Sequence, residues 1–353
     1  MAIPEQTTIR DKTLTAGTQQ TFAGVGFDWA FLVPCAWLVG GVYLDGWAHN
    51  HIPALETFFT PWYAVLYSGY IAVAAFLVCT LVYNHRRGSA WQQAVPAGYG
   101  LSLFGAAIFG AGGGLDLTWH VLFGIEKSVD ALLSPTHLIL ALGVVLMVSG
   151  PLRAAWYRSS SQTREDRTHL FPIILSLTFI LAVLSFFTQY ADPIVTSWAN
   201  QFTSEPLREL GIASILLQAA ILMGGILPVM RRWRLPLGAF AIVFLVRSAL
   251  SSVLAVSSPV IAVAVVGLLI GLMIDLVYRW LKPSMERGSA FHLFAFVVPT
   301  VNTAVYFLGL AVIHGIAWSV NLWAGSIVLS GVVGLLLSYM LVPPQLPAEQ
   351  KKI

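Results

Sequence analysis

The feature that most constrains this chain is a succession of apolar runs, each about 20 residues long, with almost nothing left over to build a water-facing domain. Runs of that length match the hydrocarbon core of a bilayer when coiled as helix. They fall at roughly 27–45, 62–83, 92–114, 132–152, 170–190, 208–230, 236–256, 259–279, 291–315 and 320–342. Long uninterrupted runs favour helices over barrel strands, which read as short alternating segments. The expected fold class is therefore all-α, a polytopic integral membrane protein with about ten transmembrane helices. Between the seventh and eighth runs the only punctuation is Ser257-Ser258-Pro259, read as a tight helical hairpin.

Charge agrees with this reading. Only 10% of the residues are charged and 57% are hydrophobic, against about 25% charged in soluble domains. Most of the surface must face something other than water, so the lipid bilayer is the expected partner and nucleic acid is not. The order along the chain is a polar tail (1–26), a pair of two-helix units (27–152), a basic loop (153–169), a six-helix scaffold region (170–342) and a second tail (343–353). The first 26 residues lack the continuous apolar stretch of a cleavable signal.

Orientation follows from Lys and Arg. With ten spans, one side collects the tails and the segments near 84–91, 153–169, 231–235 and 280–290, which hold 16 of the 19 basic residues. The other side has only Lys127 and Arg208, and Arg247 lies inside the seventh run. Both termini are thus expected on the cytoplasmic side of a cell membrane, by type a bacterial inner membrane. Arg247 needs a partner or a wet cavity, and Asp192, Glu205 and Glu209 on the outer side are candidates. Cys35 and Cys79 lie in apolar runs without metal-ligand spacing and are read as small buried hydrophobes.

The outer side concentrates the unusual polar residues. The first run ends in Asp45-Gly46-Trp47-Ala48-His49, followed by Glu56 and then Thr60-Pro61-Trp62-Tyr63. The third ends in Asp116-Leu117-Thr118-Trp119-His120, followed by Glu126 and then Ser134-Pro135-Thr136-His137. The order is the same both times, which reads as an internal repeat with Tyr63 standing where His137 stands. Asp and His four apart share one helix face. Both can reach one metal ion, or the Asp can orient a liganding imidazole. Proline in the first helical turn costs no hydrogen bond and presents His137 near the level of His120. Asp116, His120 and His137 are the strongest candidate metal ligands, with Asp45 and His49 as a weaker second set. A structural polar network tying helix ends together, or a proton relay without metal, would use the same residues.

Gly105, Gly110, Gly112, Gly113 and Gly114, just ahead of the second Asp-x-x-x-His, predict close helix approach or a locally unwound helix end. Asn302, His314 and Asn321 are polar groups toward the outer ends of later runs, available to complete an outer site or to bond between helices.

The set Asp116, His120 and His137 resembles the copper-binding motif of the membrane C subunit of copper membrane monooxygenases, the group that includes the particulate methane and ammonia monooxygenases. There an Asp and two His bind copper within the membrane near the outer face. Asp45 and His49 form an incomplete second copy. The resemblance is confined to these residues. The Asp-Gly-Trp-Ala-His segment is also similar to signatures of uncharacterised bacterial membrane families with repeated Asp-Gly-x-x-His motifs. The resemblance implies a metal cofactor, copper favoured over zinc or iron, and an oxidoreductase acting on a small apolar or lipid substrate. On that reading Glu126 and Glu56 are the acid–base candidates. Two other classes use the same polar groups: a metal-ion or proton transporter or channel, and a non-catalytic subunit of a larger membrane complex or homo-oligomer.

Overall fold

Each long apolar run folds as helix because no water is at hand to satisfy an open backbone. A computed structural model describes residues 22–52, 60–124, 128–158, 169–200, 204–256 and 258–343, and among these every regular element is helical. The first half comprises α1 (Val25–His51), α2 (Pro61–Arg86), α3 (Gly100–Phe123), the short α4 (Ser128–Leu133), α5 (Pro135–Val148) and α6 (Gly150–Tyr157). The second half comprises α7 (Leu170–Phe187), the one-turn α8 (Pro193–Thr196), α9 (Glu205–Arg232), α10 (Ala239–Leu254), α11 (Val260–Leu281), α12 (Gly288–Ile313) and α13 (Val320–Leu341).

Among the described residues, eight helices are long and apolar enough to cross a membrane: α1, α2, α3, α7, α9, α11, α12 and α13. The run expected at 132–152 is broken instead into α5 and α6, which meet at 44°. Pro151 begins the new helix and cannot donate into the old one, which accounts for the bend. The run expected at 236–256 yields α10, an apolar helix of only 16 residues. The third helix starts at Gly100 and not near 92. Ahead of it, Gly98 adopts φ +92° against the α6 backbone, where a Cβ would lie 2.4 Å from the Ala154 nitrogen. That contact holds the residues before α3 beneath α6 and off the helical path.

Two apolar cores share α7. One joins it to α1, α2, α3 and α5, the other to α9 through α12. The outer surface is itself apolar, with Ile261 82% and Met340 80% exposed, as expected where the solvent is hydrocarbon. Cys35 is buried, but Cys79 is exposed on α2, because little of that helix faces the bundle.

Two buried carboxylates, Asp28 and Asp275, are satisfied by neighbouring elements. Asp28 accepts from the Tyr99 hydroxyl at 2.6 Å and pairs with Arg158, joining α1, the start of α3 and the end of α6. Asp275 of α11 accepts from the backbone N–H groups of Phe240 (3.4 Å) and Ala241 (3.0 Å), so it caps α10 from a neighbouring helix.

The α1–α2 and α3–α5 pairs use the same contacts. Gly41 packs on Leu66 and Gly69 on Leu38; a Cβ at either would approach the partner backbone to 2.6 and 2.8 Å. Gly112 packs on Leu140 and Gly143 on Phe109. Gly112 and Phe109 lie 71 positions after Gly41 and Leu38, while Leu140 and Gly143 lie 74 after Leu66 and Gly69. Asp45 and His49 stand 71 before Asp116 and His120, and Tyr63 stands 74 before His137. Gly41→Val is expected to force α1 from α2 and cost about 1–3 kcal/mol. The adjacent Gly40→Ala, where a Cβ meets nothing within 4 Å, should be neutral or stabilising. Thermal unfolding of the two variants in mild detergent checks the contrast.

Candidate metal centre

Asp116 and His120 occupy the last two turns of α3, and His137 the first turn of α5. The helix pair is drawn together by Gly105, Gly112 and Gly143. Ser134 caps α5, its hydroxyl accepting from the His137 N–H, with Pro135 in the first turn. The counterpart Thr60 caps α2 by accepting from the Tyr63 N–H, with Pro61 following.

One ligand atom from each of Asp116, His120 and His137 falls within 4.8 Å of the other two. His120 Nε2 lies 3.5 Å from Asp116 Oδ2, and His137 Nδ1 lies 3.6 Å from Asp116 Oδ1. Ligand atoms about 2.0–2.1 Å from a shared ion sit about 3.3 Å apart in a tetrahedral arrangement, so small rotamer shifts would close the site. The Asp116 side chain is 1% exposed and that of His120 7%, while His137 at 21% leaves a way in.

The surroundings orient these groups. Thr136 Oγ1 donates to Asp116 Oδ1 at 2.8 Å, fixing one carboxylate oxygen. The other, Oδ2, is buried with no hydrogen-bond partner, a costly state for a carboxylate oxygen unless a cation or proton meets it. His120 Nδ1 lies 3.2 Å from the Gly124 carbonyl oxygen. A carbonyl only accepts, so Nδ1 carries a proton in this contact, and Nε2 is the ring nitrogen turned toward Asp116. That is how a liganding imidazole is usually held. His137 Nδ1 is 2.6 Å from the Ser134 hydroxyl. Thr136→Val is expected to weaken metal binding about 10- to 100-fold, the usual cost of losing an outer hydrogen bond to a ligand, as measured by chelator competition.

The first unit is arranged differently. His49 Nε2 lies 3.7 Å from Asp45 Oδ2, but the pair does not enter the three-residue group, and the His49 side chain is 40% exposed. Tyr63 stands beside it, ring centroids 6.4 Å apart. The two units nevertheless meet. Asp45 and Asp116 are close enough for their charges to interact, as are His49 with His120 and His137, and Tyr63 and Tyr67 are each within reach of both carboxylate charges. Asp45 Oδ1 is also buried without a hydrogen-bond partner. Gly113 gives Tyr67 its room: a Cβ there would lie 2.7 Å from the phenol oxygen.

Glu56 and Glu126 lie outside the described residues. His51 is engaged by Trp47, through a 2.9 Å contact to its carbonyl oxygen and ring stacking. His314 and Asn302 do not join the Asp/His cluster; they line a separate cavity. His85 stacks on Trp91 with centroids 3.7 Å apart. Sequence reasoning missed the roles of Thr136 and Tyr67. The Ser-Pro-Thr-His order carried a signal for the first, since a residue just before the ligand on the first turn faces the neighbouring helix. No family model, no curated protein and no solved structure matches this chain.

Proposed function

We propose that this chain is a membrane metalloprotein that holds one metal ion on Asp116, His120 and His137 at the extracytoplasmic end of α3 and α5. The observation that carries the reading is the buried Asp116 Oδ2, unsatisfied by any hydrogen bond and with His120 Nε2 3.5 Å away. Three protein ligands leave coordination positions open, the pattern of a site that works on a bound small molecule and not of a closed structural one. Copper is favoured over zinc or iron. Imidazole and carboxylate suit all three, Cu(II) binds such sites most tightly among the divalent first-row ions, and the resemblance to the copper monooxygenase C subunit points the same way.

In this reading α5–α6 and α10 also cross the bilayer, making ten spans, with the termini and the Arg-rich loops on the cytoplasmic side of a bacterial inner membrane. The α1–α2 and α3–α5 pairs are copies of one unit. Shared glycine contacts, shared caps and constant spacing support that duplication. The copy carrying Tyr63 has given up its third ligand and flanks the site with a phenol. When bound, the ion supplies Lewis acidity or redox chemistry. The chain's own groups hold it dry and oriented, and Glu126 and Glu56 are the acid–base candidates for an apolar or lipid substrate.

The test is metal content by mass spectrometry on untagged protein purified in mild detergent without chelator. Near-stoichiometric copper in the wild type, lost in a folded His120→Ala variant, is the expected result. Wild-type protein that is well folded and takes up no copper, zinc or iron on reconstitution would overturn the assignment.

A further inference from the structure

The six-helix half contains a cavity of about 460 Å³, enclosed by α9, α10, α11, α12 and the 192–200 segment. Val263, Val266, Leu310 and Ile313 give it apolar walls, and its outer end also carries the polar residues Thr196, Asn200, Ser258 and His314. Other polar groups lie deeper. Arg247 is seven residues from the end of α10 and Asn302 eleven from the end of α12, or about 10 and 16 Å down at helical rise. Tyr306 sits one turn above Asn302 on the same helix.

The hydrogen bonds around Arg247 are partly filled. Its Nε donates to Ser185 at 3.4 Å and its Nη2 to Gln218 Oε1 at 2.9 Å, and Asp192 Oδ2 lies 3.9 Å away. Asp192 is in turn held by the Ser251 hydroxyl (2.8 Å) and the Ile194 N–H (2.9 Å). Arg247 itself is 95% buried, from its 5% exposure. Among the described residues nothing accepts from Arg247 Nη1, and neither the Asn302 amide nor the Tyr306 hydroxyl has a partner, although all three residues line the cavity. Donors held at that depth are expensive unless something accepts from them.

Charge and access narrow the class of acceptor. Arg247 and Asp192 neutralise each other, so an anion would meet the carboxylate and a cation the guanidinium. The cavity opens toward the outer ends of α10, α11 and α12 at the apolar side chains of Val256, Val266 and Ile313, which are 69%, 41% and 60% exposed. There α11 and α12 meet along much less of their length than either meets its hairpin partner. We propose that this cavity admits from the bilayer an uncharged, lipid-soluble carbonyl compound of the quinone class, whose oxygens accept from Arg247, Asn302 and Tyr306. The site is separate from the metal centre and does not depend on it.

The experiment is calorimetric titration of the full-length protein in lipid nanodiscs with decylubiquinone, with empty nanodiscs as background and decylbenzene and decanoate as comparison ligands. Saturable binding of decylubiquinone, with decylbenzene and decanoate each at least about tenfold weaker, is expected. Gly309 lines the cavity and a Cβ there would meet nothing within 4 Å, so Gly309→Leu should fill the space, leave folding intact and abolish binding. Asn302→Leu and Tyr306→Phe should each weaken it about two- to tenfold; these two carry the test if Gly309→Leu does not fold. Decylubiquinone uptake no greater than that of empty nanodiscs, or unchanged in all folded variants, overturns the site. Equal or tighter binding of decanoate overturns the uncharged class, and equal binding of decylbenzene overturns carbonyl recognition.

Discussion

Replacing Arg247 by Met is expected to destabilise the protein by about 3–5 kcal/mol, the usual cost of removing one partner from a buried ion pair. The loss comes less from the attraction forfeited than from what is left behind. Asp192, 1% exposed, keeps its bonds to Ser251 and the Ile194 N–H but loses the positive charge that makes its own charge tolerable in an apolar interior. Gln218 Oε1 also loses its donor. The double variant Arg247→Met/Asp192→Asn should recover a large part of the deficit, because no net charge is then buried. Thermal unfolding of the single and double variants in mild detergent measures both effects. A double variant no more stable than Arg247→Met would mean that packing around the long side chain, and not charge, sets the cost.

The second large effect is an asymmetry between the two Asp-x-x-x-His copies. Asp116→Asn should lower metal affinity by more than about 100-fold, beyond the range for an outer-sphere group, and Asp45→Asn by about tenfold or less. Asp116 is the residue that both His120 and His137 face. Asp45 faces only His49, and its third-position counterpart is the phenol of Tyr63. The mild effect at Asp45 reflects its charge acting across the gap between the units. Equal losses in the two variants, read by chelator competition, would instead mean that both copies coordinate one shared ion.

Much of the architecture was legible in the residues because bilayer physics leaves few options. A run of apolar side chains must be helical where no water can satisfy an open backbone. The places where this reading went astray are places where local chemistry overrode hydropathy. Pro151 bends a run that counts as one span, and Gly98, tucked against Ala154, moves the start of α3 along the chain. The run edges set at 45 and 114 also fall short, because α1 continues to His51 and α3 to Phe123, with Asp45, His49, Asp116 and His120 in helix as their spacing implied. A hydropathy boundary marks where polar side chains begin, whereas the helix goes on as long as its backbone bonds are met.

By itself, then, the sequence determined the helical class, the spacing that puts Asp116 and His120 on one face, the Pro-led start that presents His137, and the need of Arg247 for a partner. Each depends on periodicity or on the cost of an unpaired charge, and both are local properties. Only the tertiary structure decided that the two units face one another, that Asp192 and not Glu205 or Glu209 stands beside Arg247, and that Asn302 and Tyr306 line a cavity away from the Asp/His cluster. Those outcomes depend on which helices lie side by side and how each is rotated about its axis. Small residues such as Gly41, Gly112 and Gly271 set both at the helix contacts, and their consequences appear only once the partner helix is in place.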